Sequence, residues 1–126
     1  MDISKKLNGI LNSTTEKRYK NFITTIADTE EVWLLRNKRG YATIDADGYI
    51  NLIVFPDKEF AEWYRDRNFK KDQLECLDVH TFLERCEDLL SQEEVRFLVS
   101  PNDSNGYIVA ADKIIDDLTE ELNLLE

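Results

Sequence analysis

The side chains best suited to chemistry in this sequence are one histidine and two cysteines. His80 is the only histidine, and Cys76 and Cys86 are the only cysteines. A cysteine nucleophile needs a base within hydrogen-bond reach, but Cys86 falls on the apolar face of a predicted helix that begins near His80. The spacing therefore favours an exposed first-turn histidine and two buried thiols over a Cys-His pair. A disulfide between the two cysteines is the alternative if the protein is exported.

Acidic residues suggest two further kinds of site, and neither fits well. The segment Asp45–Gly48, DADG, alternates carboxylates with a glycine but lacks the downstream ligand spacing of a calcium loop, so we interpret it as a turn. Adjacent acidic pairs near the C-terminus are typical of a solvated helix surface rather than of a catalytic dyad. No glycine-rich phosphate-binding pattern occurs. We therefore expect no catalytic residues, no metal and no cofactor.

The strongest candidates for ligand binding are the two tryptophans and nearby basic residues. Tryptophan is favoured in binding pockets as well as in cores. Basic residues follow the first predicted strand (36–39) and the central helix (65–71), and these loops would hold an anionic ligand or an acidic patch if the fold brought them together. The predicted ligand-binding residues are Trp33, Arg36, Trp63, Tyr64 and Arg67. Core packing of the tryptophans and a scattered solubilising rim are the alternatives.

The charge of the chain is distributed unevenly. The net charge is −10; residues 1–71 hold 13 basic and 11 acidic residues, whereas residues 72–126 hold 3 and 15. Such a field repels nucleic-acid phosphates and anionic lipid, so we expect no nucleic acid and no membrane, and it favours a basic protein partner. The predicted partner-binding residues are Asp116, Asp117, Glu120 and Glu121. A merely solubilising face and a homo-oligomer are the alternatives.

The elements that must position these residues are organised around Gly48–Asn68. The apolar run Tyr49–Phe55 predicts a strand covered on both faces. Pro56 lacks an amide hydrogen and ends the strand, and Asp57 can cap a helix that begins at about Lys58. That helix has an aromatic face, which we expect to lie on the sheet.

The remaining pattern completes an α+β arrangement. Helices are predicted at residues 2–11, 14–28, 79–90 and from 112 onward, with a capping box at Ser13 and Glu16; strands are predicted at 32–35, 41–44, 74–77, 95–99 and 107–110. The strands at 32–55 form a predicted antiparallel meander, and Asn105–Gly106 predicts a hairpin. We therefore predict an α+β fold with an antiparallel or mixed sheet of about five to six strands and helices packed against it.

Length and composition predict a single domain over residues 1–126. It divides into an N-terminal helical extension at 1–13 and a core at 14–126. The N-terminal residues alternate polar with apolar types, unlike a signal peptide, and no apolar run is long enough to cross a bilayer. A cytoplasmic location is the expectation.

Several of these residues together resemble a small bacterial family of unknown function. They are Tyr19 and Phe22, then EVWLL at 31–35, GYA at 40–42, Phe55–Pro56 with Glu59 and Ala61, Phe82–Leu83, and Gly106 with Val109. The resemblance extends from about Tyr19 to Leu118, and Phe69 departs from it where a tryptophan is expected. The strand, Pro-Asp and Ala-Trp helix at 49–63 are also similar, more faintly, to the N-terminal domain of the enhanced-serine-sensitivity protein family.

The resemblance implies a compact bacterial cytosolic domain without catalytic residues. Small acidic bacterial domains of this kind are often binding modules, including immunity proteins that block basic toxins. We therefore expect a non-catalytic protein-binding module with an acidic surface for a basic partner. The alternative is a domain or enzyme that binds a small anionic ligand in a cleft near Trp33 and Trp63.

Overall fold

The computed structural model describes residues 3–125, in which helices and strands follow the predicted order. The helices are α1 (Lys5–Leu11), α2 (Thr15–Thr29), α3 (Lys58–Asn68), α4 (Val79–Asp88) and α5 (Ala111–Leu124). The strands are β1 (Glu31–Asn37), β2 (Gly40–Tyr41), β3 (Thr43–Ala46), β4 (Tyr49–Val54), β5 (Gln73–Asp78), β6 (Val95–Val99) and β7 (Tyr107–Val109). Among these helices, none is both long and apolar enough to cross a membrane.

The strands form two sheets rather than one. The first has the order β2-β1-β5 and is antiparallel, and the second has the order β3-β4-β6-β7. In the second sheet β4 and β6 are parallel, and the other pairs are antiparallel. A parallel pair needs a crossover connection, which here contains α3, β5 and α4. The predicted α+β fold with mixed strand pairing and packed helices is confirmed, and the seven strands within residues 3–125 are divided three and four between the two sheets.

The chain passes from the first sheet to the second at Ala42. The Ala42 amide donates to the Leu35 carbonyl at 2.8 Å, and the Ala42 carbonyl accepts from the Ile53 amide at 3.3 Å. The only direct bridge between β1 and the end of β4 in the described residues is the Trp33–Phe55 pair. Ala42 therefore bonds to one strand of each sheet and divides the predicted strand at 41–44 into β2 and β3. As a result, the predicted meander runs through two sheets instead of one.

Helices cover both faces of the sheets, because side chains of the central strands alternate between two apolar clusters. The first cluster, under α2, α4 and α5, takes Leu34 from β1 and Val54 from β4. The second, under α1 and α3, takes Leu35 from β1 and Ile53 from β4. The prediction that the 49–55 strand is covered on both faces is confirmed for its second half, whereas Ile50 is exposed.

The strand stop and helix start at 55–60 form as predicted. Pro56 is buried, and an Asp57 carboxylate oxygen accepts from the Phe60 amide at 2.9 Å, which caps α3. The Phe55 ring lies 5.7 Å from the Phe60 ring and 5.5 Å from the Tyr64 ring. The aromatic face of α3 therefore lies on the sheet, where burying each ring contributes about 1.5–3 kcal/mol.

The start of α2 differs from the prediction by one residue. The Thr14 hydroxyl, not that of Ser13, accepts from the Lys17 amide at 3.2 Å and caps the helix. The Ser13 hydroxyl instead donates to the Gly9 carbonyl at 2.8 Å, next to the end of α1. The predicted capping box at Ser13 is wrong because the preceding helix already uses that hydroxyl.

Candidate functional site

The two cysteines and the histidine do not form a reactive pair. Burial raises the pKa of the Cys86 thiol to about 12, so it stays protonated at neutral pH. Cys76 is exposed on β5, which corrects the prediction that both thiols are buried; partial burial, then nearby Glu31, raises its pKa as well. His80 is exposed, as predicted, and its Nε2 lies 3.7 Å from Glu30. Neither cysteine is a free thiolate.

The DADG segment forms the hairpin turn between β3 and β4. Asp47 and Gly48 both have positive φ, 54° and 83°, which is the backbone that a two-residue hairpin turn requires. Within residues 3–125, no group of three or more His, Cys, Asp or Glu side chains is arranged to hold a metal ion. The local sequence is therefore explained by the turn.

The predicted ligand-binding residues near the tryptophans divide between two places. Trp33 and Trp63 are half-buried against the second cluster, to which Tyr64 also belongs. The Arg67 guanidinium lies 5.0 Å above the Trp63 ring and donates to both Asp103 carboxylate oxygens, at 2.8 and 2.7 Å. This bidentate pair partly neutralises the charge that was predicted to attract an anion.

Arg36 lies apart from this aromatic group, at the end of β1. Its guanidinium lies 3.4 Å from Glu75 and 5.1 Å from the centre of the Tyr41 ring. Burial, with a smaller contribution from Glu75, raises the pKa of Tyr41. The five predicted ligand-binding residues are therefore not gathered in one cleft, and their role in binding stays a prediction.

The fold does bring two of the predicted basic loops together. We call this the basic groove: a depression of about 760 Å³ between the β1–β2 turn and the α3–β5 connection, lined by residues 36–39 and 71–73. Lys38, Arg39 and Lys71 are exposed there and form no ion pair within residues 3–125. The side-chain amide of Asn37 lies 3.3 Å from an Asp72 oxygen and connects the two walls.

Strand register explains why these loops meet. Arg36 on β1 is paired with Gln73 on β5, so the turn after β1 lies beside the connection before β5. Within the turn, the Asn37 side-chain oxygen accepts from the Arg39 amide at 2.8 Å, and Gly40 has a φ of 122°, which favours glycine. The basic residues at 36–39 were visible in the sequence, but the contribution of Asn37, Asp72 and Gln73 was not, because it depends on this pairing.

A second charged surface lies on α4, α5 and the turn after α4. We call it the acidic face; its exposed carboxylates are Glu84, Glu87, Asp88, Glu93, Glu94, Asp112, Asp116 and Glu120. The helices α4 and α5 are in contact. None of these eight side chains forms an ion pair with another described residue. Their charge is therefore left for solvent or for a partner.

The four predicted partner-binding residues are not equivalent. Asp116 and Glu120 are exposed members of the acidic face, and Glu121 is half-buried. Asp117 accepts from the Tyr19 hydroxyl at 2.6 Å and from the Lys113 ammonium at 3.0 Å. Burial, and then this carboxylate, raises the pKa of Tyr19. Asp117 therefore joins α2 to α5, and binding by any of the four stays a prediction.

The sequence analysis missed one buried charge, Arg18. Its side chain is 1% exposed and donates to the carbonyls of Ser13, Ser100 and Asn105. Burial lowers its pKa. Arg18 stands four positions before Phe22 on the apolar stripe of α2, and a basic residue at stripe spacing is the signal that would have found it.

The sequence of the chain identifies its family. Residues 19–118, well over half of the 126-residue chain, match the family described as "Protein of unknown function (DUF2750)". The chain belongs to the DUF2750 family. This confirms the resemblance to a domain of unknown function and its extent from Tyr19 to Leu118. No curated protein matches the chain. Within the DUF2750 match lie the basic groove and most of the acidic face, whereas α1, Arg18 and Glu120 lie outside it.

Proposed function

We propose that this DUF2750 protein is a non-catalytic binding module of the bacterial cytoplasm, and that its acidic face binds a basic protein, as an immunity protein does. The observation that carries the proposal is the acidic face itself: eight exposed carboxylates without an ion pair in the described part of the chain. Two unpaired thiols suit a reducing compartment.

The position of these carboxylates costs folding stability, which supports a role in binding. Of the acidic face, Glu87 and Asp88 lie at the end of α4, and Glu120 lies near the end of α5, where the negative end of the helix dipole repels them, whereas the dipole favours Asp112 in the first turn of α5. Each such contact is unfavourable by about 0.3–1 kcal/mol at low salt. Charges that oppose folding but create a field of one sign steer an oppositely charged partner and speed its association.

Two variants with the same net charge test this proposal. The first neutralises four carboxylates of the acidic face by Glu84→Gln, Glu87→Gln, Asp116→Asn and Glu120→Gln. The matched control neutralises four exposed carboxylates elsewhere, by Asp28→Asn, Glu31→Gln, Asp45→Asn and Asp47→Asn. Each variant lowers the negative charge by four, so any difference between them reports position rather than net charge.

Pull-downs from a lysate of the source organism compare both variants with the natural protein at low and moderate salt. We expect one basic protein to be captured by the natural chain and by the control, with less capture at higher salt, because a salt concentration of about 0.1 M screens charges beyond roughly 10 Å. The acidic-face variant should lose capture while its unfolding midpoint stays equal or rises. Equal capture by both variants, or capture that ignores salt, would contradict the proposal.

A second candidate function is the binding of a small anion in the basic groove. It is favoured by the exposed Lys38, Arg39 and Lys71, whose charges converge on one concave surface without an ion pair in the described residues. Lysine and arginine side chains from two walls can donate several hydrogen bonds to one carboxylate or phosphate. This candidate moves the predicted anion site from the tryptophans to the groove.

A thermal-shift titration with citrate, phosphate and ATP tests the basic groove. A ligand that binds only the folded state raises the melting temperature, and the rise grows with the logarithm of the ratio of the ligand concentration to its dissociation constant. The variant Lys38→Gln with Lys71→Gln should lose the shift. Lys5→Gln with Lys6→Gln, which removes the same charge from α1, should keep it. A flat response to all three anions would exclude the candidate.

A further inference from the structure

A separate cavity opens between α4 and the two sheets. Its volume is about 320 Å³, and its walls are apolar. Leu34 and Leu77 come from the first sheet, Leu52 and Phe97 from the second, and Phe82 from α4. Leu34, Phe82 and Phe97 are almost completely buried, so the inner wall is part of the packed first cluster. The volume is near the lower limit of about 300–1,000 Å³ for ligand pockets, which suits a small molecule.

The rim of the cavity carries charges of both signs. Arg85 and Asp88 are exposed and line the cavity from α4, and the exposed Gln92 lines it from the following turn. Residues three apart on a helix lie on the same side, so both side chains project from one side of α4. Within residues 3–125, neither Arg85 nor Asp88 forms an ion pair, with the other or with any other side chain.

Arg85 is unusual among the cations of its half of the chain. Residues 72–126 contain three basic residues, Arg85, Arg96 and Lys113. The Arg96 guanidinium lies 3.6 Å from the centre of an aromatic ring, and the Lys113 ammonium is paired with a carboxylate. Arg85 has no such partner in the described residues, and it stands at the mouth of an apolar cavity.

We propose that this cavity binds a free α-amino acid with an apolar side chain. The side chain enters among Leu52, Leu77 and Phe97, the carboxylate accepts from the Arg85 guanidinium, and the ammonium donates to Asp88. An apolar group alone would leave both charges unused, and a peptide terminus would bring only one of them. A free amino acid supplies an apolar group and both charges in one small molecule.

The test is a titration of the ¹⁵N-labelled full chain with L-phenylalanine, followed by amide chemical shifts. We expect saturable shifts at Leu52, Leu77 and Phe97 with a dissociation constant on the order of 1 mM, as for a small ligand in a shallow site. Phenylacetate lacks the ammonium and phenethylamine lacks the carboxylate, so each should bind about tenfold more weakly. Glycine lacks the apolar side chain and should cause no shift at these amides.

Rim variants separate recognition from a general effect on the fold. Arg85→Gln and Asp88→Asn replace exposed side chains, so both should fold, and each should weaken L-phenylalanine about tenfold. Asp28→Asn, exposed on α2 and outside both the cavity lining and the acidic face, is the matched control and should bind as the natural chain does. The proposal would be overturned if the chemical shifts changed only at amides away from the cavity, or if L-phenylalanine, phenylacetate and phenethylamine bound equally well. It would also be overturned if L-phenylalanine caused no shift at a concentration about ten times the expected dissociation constant.

Discussion

Replacing Arg18 should show how much one buried cation contributes to this fold. Arg18→Met keeps most of the aliphatic stem and removes every donor of the guanidinium. The lost hydrogen bonds are those to the carbonyls of Ser100 at 3.0 Å, Ser13 at 2.6 Å and Asn105 at 3.0 Å, and one to the Asn105 side-chain oxygen. These contacts join the start of α2 to the end of α1 and to the β6–β7 loop.

The expected loss follows from which acceptors water can reach. Ser100 is completely buried, so its carbonyl is left without a donor at a cost of about 1–3 kcal/mol. Ser13 is partly exposed and Asn105 exposed, so their carbonyls exchange a protein donor for water at about 0.5–1.5 kcal/mol each. Relief of the desolvation of Arg18 offsets a part of this. We expect Arg18→Met to lower the free energy of unfolding by about 3 kcal/mol, a large share of the roughly 5–15 kcal/mol typical of a domain.

Urea unfolding monitored by the fluorescence of Trp33 and Trp63 measures this loss. With a slope of about 1.5 kcal/mol per molar urea, the midpoint should fall by about 2 M. Arg18→Lys retains a charge but not the planar fork and should lie between Arg18→Met and the natural chain. Lys17→Met, an exposed neighbour on α2, should stay within about 0.5 kcal/mol. A loss below about 0.5 kcal/mol for Arg18→Met would refute the reasoning.

Three further predictions concern the thiol, the N-terminal helix and two glycines. The pKa of Cys86 is raised from 9.0 to about 12 in the folded state, so the unfolded chain loses this proton first as the pH rises. The free energy of unfolding should therefore be unaffected by Cys86 below pH 9 and fall by about 1.4 kcal/mol per pH unit from pH 9 to 12. In urea unfolding, Cys86→Ala should be less stable at pH 7 but show a flatter dependence on pH. Glu59→Ala removes the carboxylate that accepts from the amide of Ser4 at 3.1 Å and from its hydroxyl at 2.6 Å, and Ser4 caps α1. Amide hydrogen exchange should therefore speed up in α1 and not in α4. An equal increase in both helices would contradict the prediction that residues 1–13 form a separate extension. Gly106→Ala should lower the free energy of unfolding by about 1–3 kcal/mol, because its Cβ would lie 2.6 Å from the buried Leu98 side chain and 3.1 Å from the Pro101 backbone. Gly9→Ala, with open space inside α1, should raise it by about 0.5–1 kcal/mol, and equal thermal midpoints for the two variants would contradict both expectations.

The ends of helices were largely predictable because they depend on neighbouring residues. Asp57 caps α3 as the sequence indicated, with its carboxylate accepting from the amide three positions later, and Asp78 caps α4 in the same way. The Asp47–Gly48 turn also formed as expected, since positive φ at both positions is a local property. The error at Ser13 arose where two helices compete for one hydroxyl, which no single segment reveals.

The candidate sites were predictable only in part. The part of the acidic face on α5 follows from the local pattern, because Asp116 and Glu120 stand at positions that an amphipathic helix exposes. The grouping of Trp33 and Arg36 in one cleft did not form, because successive side chains of a strand alternate between faces: Trp33 lies with the second cluster, and Arg36, three positions later, lies by Tyr41 at the other face.

The sequence by itself determined the order of helices and strands, the strand stop at Pro56, the capped aromatic helix that follows it, and the charge asymmetry. Each depends on residues close together in the chain, whose capping, turn and periodicity preferences act locally. Only the tertiary structure decided that Ala42 connects two sheets, that β4 lies parallel to β6, and that residues 36–39 meet residues 71–73. The last two outcomes depend on pairing between segments more than 30 residues apart, where many registers satisfy the same local pattern and burial of both clusters selects one. The role of Ala42 depends on nearer strands, but it requires that a strand of each sheet lie on either side of that residue.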